Sequence, residues 1–286
     1  MKLTSSMIVV LSAILAVATP LGPSYAAGGQ AEEESASAAT LEITFSLFAG
    51  GVPFGQAAMT SRMENGSYKA SALLETRGIV NRFWQSKIET ASHGRISEGR
   101  LEPANYDSFS LRRNGRRQEV TVKFDANGPI EMIANPEYDD LEPISDDARH
   151  RSLDPLSSVL FLLTSSAAGE QKPCAVTAPV FDGRRRYDIA FTYSRRANVS
   201  MDNGLYKGPA LVCEVEYRQV AGDLQRIVER GGKMPKVMGW IASVPSTLDP
   251  SRKYMIPLRL WAETEFGLIT VVASQVKIDG VLLKAS

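Results

Sequence analysis

The chain has 286 residues, with 32 lysines and arginines against 32 aspartates and glutamates, so no field of one sign exists to gather nucleic acid or an anionic membrane. It contains only two cysteines and two histidines, none at the short spacing a zinc centre needs, and it carries no phosphate-cradling glycine loop. No cofactor is expected.

The first segment carries Lys2, the apolar run from Met7 to Ala18, and then Pro20, Gly22 and Pro23. This is the charged start, apolar centre and helix-breaking neck of a secretory signal peptide, too short to span a bilayer. Small residues in Ser24-Tyr25-Ala26 place cleavage after Ala26, so residues 1–26 are expected to be removed. Residues 27–40, rich in Gly, Ala, Ser and Glu, cannot offset their ordering entropy and are expected to be a flexible leader. One β-rich domain over 41–286 is expected to follow, located in the periplasm and not membrane-spanning after cleavage.

Period-two alternation begins with Val52, Phe54, Gln56 and Ala58 and returns beyond Glu64-Asn65-Gly66 with Tyr68, Ala70, Ala72 and Leu74. Asn-Gly between alternating segments marks a hairpin, because both residues accept the positive φ of a tight turn. Gly78 to Trp84 reads as a short amphipathic helix covering the sheet. The same strand pattern recurs in Val120, Val122 and Phe124 before Asn127-Gly128, in Tyr187 to Tyr193, and in Leu258 to Ala262 before the strand Leu268 to Ile278. Pro257, near the start of a strand, suggests a sheet edge.

Between these strands, Asp154-Pro155 is a helix start: an N-cap carboxylate followed by a proline whose missing N–H costs nothing in the first turn. The helix from Leu156 to Leu163 is apolar almost all round and so must be covered on every side. The expected fold is mainly β: a strongly curved antiparallel sheet, an open barrel or spiral, with that helix buried in its concave face and one short covering helix. A flat β-sandwich is the alternative.

Cys174 and Cys213 both fall in alternating apolar rows and are expected to form a disulfide between neighbouring strands, worth about 3 to 4 kcal/mol on the chain-entropy model. Chemistry is harder to find. His150 beside Asp146, Asp147 and Arg149 offers an acid-histidine pair but no nucleophile elbow, and His93 reads as a strand end or turn. The acidic run from Glu137 to Asp147 lacks the order of a calcium loop. Arg112-Arg113, Arg116-Arg117 and Arg184-Arg185-Arg186 flank Gly-containing turns and read as solvated tips. Phe54, Phe83, Trp84, Phe161, Tyr193, Trp240 and Trp261 either fill the core or line a cavity for a lipid or another apolar ligand.

Several phrases taken together resemble an exported bacterial family, the domain of unknown function 3108. They are Pro173-Cys174, Val180-Phe181-Asp182-Gly183-Arg184-Arg185-Arg186-Tyr187, Gly208-Pro209-Ala210-Leu211-Val212-Cys213, Ile256-Pro257-Leu258, Phe266-Gly267, Leu101 to Tyr106 and Asp154-Pro155-Leu156-Ser157. The resemblance implies a Gram-negative envelope location, a β-rich fold, a cysteine pair in part of the family and no established activity. It also favours an anionic contact for Arg184, Arg185 and Arg186.

The functional expectation is a non-catalytic periplasmic cell-envelope protein that binds a hydrophobic ligand, such as a lipid, or an envelope protein. The expected contacts are Trp84, Phe161, Arg184, Arg185, Arg186, Trp240 and Trp261. The alternative is a hydrolase acting on an envelope polymer, with His150 or a carboxylate pair as base.

Overall fold

The computed structural model describes residues 38–78, 81, 85–112, 115–138, 142–164, 174–222, 235–264 and 267–285. The expected signal peptide and nearly all of the expected leader lie outside them, as do most of the expected helix at 78–84 and both Phe83 and Trp84.

Fourteen strands among these residues form one antiparallel sheet. The first meander comprises β1 (Ala39–Ala49), β2 (Val52–Glu64), β3 (Ser67–Thr76), β4 (Ser86–Ser97), β5 (Arg100–Arg112), β6 (Arg117–Asp125) and β7 (Gly128–Asn135). Two helices follow, α1 (Asp146–Arg149) and α2 (Pro155–Thr164). The second meander comprises β8 (Val176–Phe181), β9 (Arg186–Ser200), β10 (Lys207–Ala221), β11 (Val237–Pro245), β12 (Lys253–Thr264) and β13 (Gly267–Ile278), with β14 (Val281–Leu282) added to β13. Strands β1 and β13 pair from Leu41 with Ile278 to Ala49 with Ile269, so the chain's two halves meet at one seam and the order runs β7 to β1, then β13 to β8.

The hairpins form where the sequence places them. Asn65 and Gly66 both take positive φ between β2 and β3, as a tight turn matched to strand twist requires. Inward residues of β1, Leu41, Ile43, Phe45 and Leu47, are all nearly inaccessible and share one core with Ile256, Leu258, Val271 and Ala273 from across the seam. Pro257 departs from expectation. It lies in an interior strand beside a bulge, opposite Ile241, where β12 has not yet begun to pair with β13. Its missing N–H therefore costs the β12–β13 ladder nothing.

Helix α2 explains the curvature. It touches β3, β4 and β5 on one side and β8 and β12 on the other. Leu156, Leu160 and Leu163 enter the main core, whereas Leu162 and Phe161 enter a second cluster with Ala178, Val180, Tyr187 and Ile189. A helix that is apolar all round thus becomes the axis around which the sheet wraps.

The sheet nearly closes. Residues 149–153 bridge its free edges: Arg151 N–H donates to the Asn127 carbonyl at the β6–β7 turn (2.7 Å), while Leu153 exchanges backbone hydrogen bonds with Pro179 and Phe181 on β8 (2.8 Å each). The turn between β8 and β9 reaches over to the opposite edge, where Gly183 sits against Val120, Val122 and Met132. The result is a barrel-like wrap with a gap between the two meanders. Among the described residues no helix is long and apolar enough to cross a membrane.

Candidate functional site

The inward face of β4 and β5 changes character along its length. Antiparallel pairing sets Ser92 opposite Tyr106, Thr90 opposite Ser108, Ile88 opposite Ser110 and Ser86 opposite Arg112. Toward one end of the barrel, hydroxyls replace aliphatic side chains, so that end does not pack shut. A cleft of about 900 Å³ opens there, bounded by β4, β5 and β6 on one side. Pro155 at the start of α2 and Asp182, Arg184, Arg185 and Tyr187 at the β8–β9 turn bound it on the other. Pro136, Glu137 and Tyr138, just beyond β7, complete the wall.

The charge of this wall is one-sided. Arg112, Arg116, Arg117, Arg184 and Arg185 face two carboxylates, Glu137 and Asp182, among the described lining residues. Asp182 is already engaged: its carboxylate accepts from the Arg184 and Arg185 backbone N–H groups (2.9 and 2.7 Å) and lies 3.0 Å from the Arg185 guanidinium. The Arg184 guanidinium stacks over the Tyr138 ring at 5.0 Å. Burial pushes the Tyr106 and Tyr187 phenols well above their ordinary range, so both present neutral groups to the cleft.

Arg184 to Arg186 are therefore not the solvated tips expected of a basic turn. All three are half-buried, because the turn folds inward onto β6 and β7 instead of projecting outward. Arg184 and Arg185 line the cleft. Arg186 turns away from it, donating to Asp188 (2.6 Å) and to the Ala148 carbonyl (2.9 Å).

Of the apolar residues read as either filling the core or lining one cavity, those among the described residues are not brought together in the cleft. Phe54 is buried in the main core, Phe161 packs in the second cluster, and Tyr193 is exposed. Trp240 and Trp261 meet edge to face at 5.8 Å, with Arg259 over both rings, and neither lines the cleft. His93 lies within β4 instead of at its end and is exposed, and His150 is exposed at the end of α1. Neither histidine lines the cleft. Among the described residues, no group of three or more His, Cys, Asp or Glu side chains is placed to hold a metal ion.

Beneath the cleft lies a buried polar cluster that the sequence does not announce. Asp154 caps α2, its Oδ1 accepting from the Leu156 and Ser157 backbone N–H groups (2.9 Å each). Its Oδ2 accepts from Ser92 Oγ (2.8 Å) and Ser157 Oγ (2.5 Å), and Tyr68 from β3 reaches Ser157 Oγ at 2.7 Å. Burial pushes the Asp154 carboxyl above its ordinary range, against the pull of these hydrogen bonds.

The disulfide forms between Cys174 and Cys213, with Cα atoms 6.3 Å apart. Cys174 does not lie in the strand row expected of it but just before β8, at positive φ, and the bridge passes over β9 to reach β10. It is buried with Ile241 among Phe191, Leu211, Met255 and Leu260.

A family model described as "Protein of unknown function (DUF3108)" matches residues 41–274. The chain belongs to this family. A solved structure described as a beta-barrel-like protein of domain of unknown function DUF1849 from Brucella abortus is similar to it at 7% identity and a TM-score of 0.47, covering 84% of this chain and 98% of that one. A structure of MucB in complex with MucA(peri) aligns at 10% identity and a TM-score of 0.12, covering 85% and 90% of the two chains. No curated protein matches the chain.

Proposed function

We infer that the chain is a non-catalytic, exported cell-envelope protein that captures a ligand, or a group of an envelope partner, in the cleft at the open end of its barrel. One observation carries this reading: a cleft of about 900 Å³ whose walls come from both meanders and from the start of α2. That volume lies in the range of small-molecule sites, and such sites favour barrel mouths. The cleft's hydroxyl and guanidinium lining moves the expected contact away from Trp240 and Trp261 and onto Arg184 and Arg185. Export is supported by the N-terminal pattern, which predicts periplasmic release after Ala26, and by a buried disulfide of the kind that persists in an oxidising compartment.

The test is extraction and mass spectrometry of the mature protein purified from periplasm, beside a Ser108→Trp variant that fills the cleft. The expected result is a molecule in stoichiometric amount on the natural chain and its loss from the variant. For a partner group, the equivalent result is a pull-down partner lost in the same way. A molecule retained equally by both proteins overturns the reading. So does a chain that carries nothing and whose pull-down partners ignore the substitution.

A further inference from the structure

We propose that the cleft is a phosphate-binding site, taking a ligand with at least one phosphoryl group on its guanidinium and hydroxyl lining; this deepens the reading above and rests on it. The argument begins with donors. An arginine presents a planar fork of N–H groups and has no acceptor, and a serine or threonine hydroxyl adds a rotatable donor. Arg112 stands across the strand pair from Ser86, and Ser110 and Ser108 follow it inward along the same strand face. Arg184 approaches the cleft from the opposite meander. A ligand seated between them meets donors on both sides.

Charge selects among ligands in the same direction. Among the described lining residues, five arginines against two carboxylates make the lining positive, in a concavity whose low-dielectric walls focus the field. This is a local feature of a chain whose full sequence is balanced at 32 basic and 32 acidic residues, so it is not the by-product of a basic protein. The stack of Arg184 on Tyr138 at 5.0 Å, with Asp182 accepting the Arg184 backbone N–H at 2.9 Å, holds that residue in place before any ligand arrives. A carboxylate offers two oxygens to such a wall. A phosphoryl group offers three, matching a site with several guanidinium and hydroxyl donors.

Two sources of phosphate are compatible with this lining, a soluble phosphate ester and a phospholipid headgroup, and the experiment separates them. Inorganic pyrophosphate is titrated calorimetrically into the mature protein at low and at physiological ionic strength. In parallel, the protein is sedimented with vesicles of phosphatidylglycerol and of phosphatidylcholine. The same measurements are made on Arg112→Gln/Arg116→Gln, at the exposed rim, and on Arg62→Gln, which removes an exposed charge from β2.

The expected result is binding of pyrophosphate, of phosphatidylglycerol vesicles, or of both. That binding weakens about tenfold or more in the rim variant, is unchanged in Arg62→Gln, and falls as salt rises. Pyrophosphate binding without vesicle binding assigns a soluble source, and the converse assigns a headgroup. Binding of neither probe overturns the proposal, as does binding that ignores the rim substitutions. If Ser108→Trp still displaces a co-purifying molecule or partner while neither phosphate probe binds, the cleft reading stands and the phosphate proposal alone falls.

Discussion

Asp154 does more than begin a helix. Its carboxyl joins Ser92, Ser157 and Tyr68 through four close oxygen contacts: Tyr68 to Ser157, Ser157 to Asp154, Ser92 to Asp154, and Ser92 to Ser157 at 2.9 Å. The three hydroxyl hydrogens are used by Ser92 and Ser157 donating to Asp154 Oδ2 and Tyr68 donating to Ser157, and the Ser92–Ser157 approach brings together two donors to the same carboxyl oxygen. Burial raises the Asp154 pKa against the pull of these hydrogen bonds. Because the folded-state pKa is raised above the unfolded value, the folded chain holds the carboxyl proton where the unfolded chain releases it. The group's contribution to stability is then fully present below the unfolded carboxyl pKa and declines as pH rises through the folded one. Urea denaturation of the natural chain and Asp154→Asn across the acidic-to-neutral range should show the natural chain losing stability relative to the amide as pH rises. Asp154→Ala should cost about 2 to 4 kcal/mol at acidic pH, because it strands two backbone N–H groups and two hydroxyls, and less as pH rises through the folded pKa. The cap itself is legible in Asp154-Pro155. Its partners are not, since Tyr68 and Ser92 come from strands whose inward faces meet the helix only after the sheet has curved. The Arg112 cleft has a fainter signal of the same sort: Tyr106, Ser108, Ser110 and Arg112 alternate like any strand face, but as hydroxyls and a cation, where a search for apolar alternation passes over them.

Hairpins and the buried helix are legible because turn chemistry and residue period are local properties. The contacts that link one sheet edge to the other are not local. Gly183 shows why the β8–β9 turn departs from a solvated tip: its φ is +90°, and a Cβ there would lie 2.8 Å from a Val120 methyl and 3.3 Å from Met132. The turn sits against the far edge because it presents no side chain. Gly183→Ala should therefore destabilise the chain by about 1 to 3 kcal/mol in urea titration, combining a positive-φ penalty with overpacking. It should also loosen the cleft, seen as faster amide exchange in β6 and β8. The disulfide is a second such tie. The cysteine count suffices to anticipate it, but not its path, since Cys174 lies before β8 at positive φ and the bridge skips a strand. With the partners 39 positions apart in sequence, its removal in Cys174→Ser/Cys213→Ser should cost about 3 to 4 kcal/mol by the chain-entropy estimate. The loss is checked by comparing urea midpoints of the oxidised protein and the double variant.

Across the whole molecule, the strand order turns a single chain into two local meanders and two places where they must meet. One is the seam between β1 and β13, a ladder from Leu41 to Ala49 with one bulge; the other is the closure at β6–β7, residues 149–153 and β8. The seam pairs the two ends of the described chain, with Asp279 N–H donating to the Thr40 carbonyl (2.8 Å), so it carries the longest sequence separations in the fold. Loop closure over such separations slows folding, because its entropy is lost before the ladder compensates for it. A circular permutant isolates this effect. Joining Ala285 to Ala38 through a flexible linker, and opening the chain between Thr164 and Cys174, makes the strand sequence follow the sheet order from β8 through β13 and β1 to β7. The seam then becomes a connection between consecutive strands, while the closure becomes the distant contact. The exchange is unequal, because the seam is a long ladder between two strands, whereas the closure consists of a few backbone hydrogen bonds, the Gly183 contact and the packing of α2 on β8 and β12. The permutant should refold faster than the natural chain in stopped-flow tryptophan fluorescence, with a urea midpoint close to the natural one. A refolding rate unchanged by permutation would mean that closure around α2, and not the meeting of the chain's ends, limits folding.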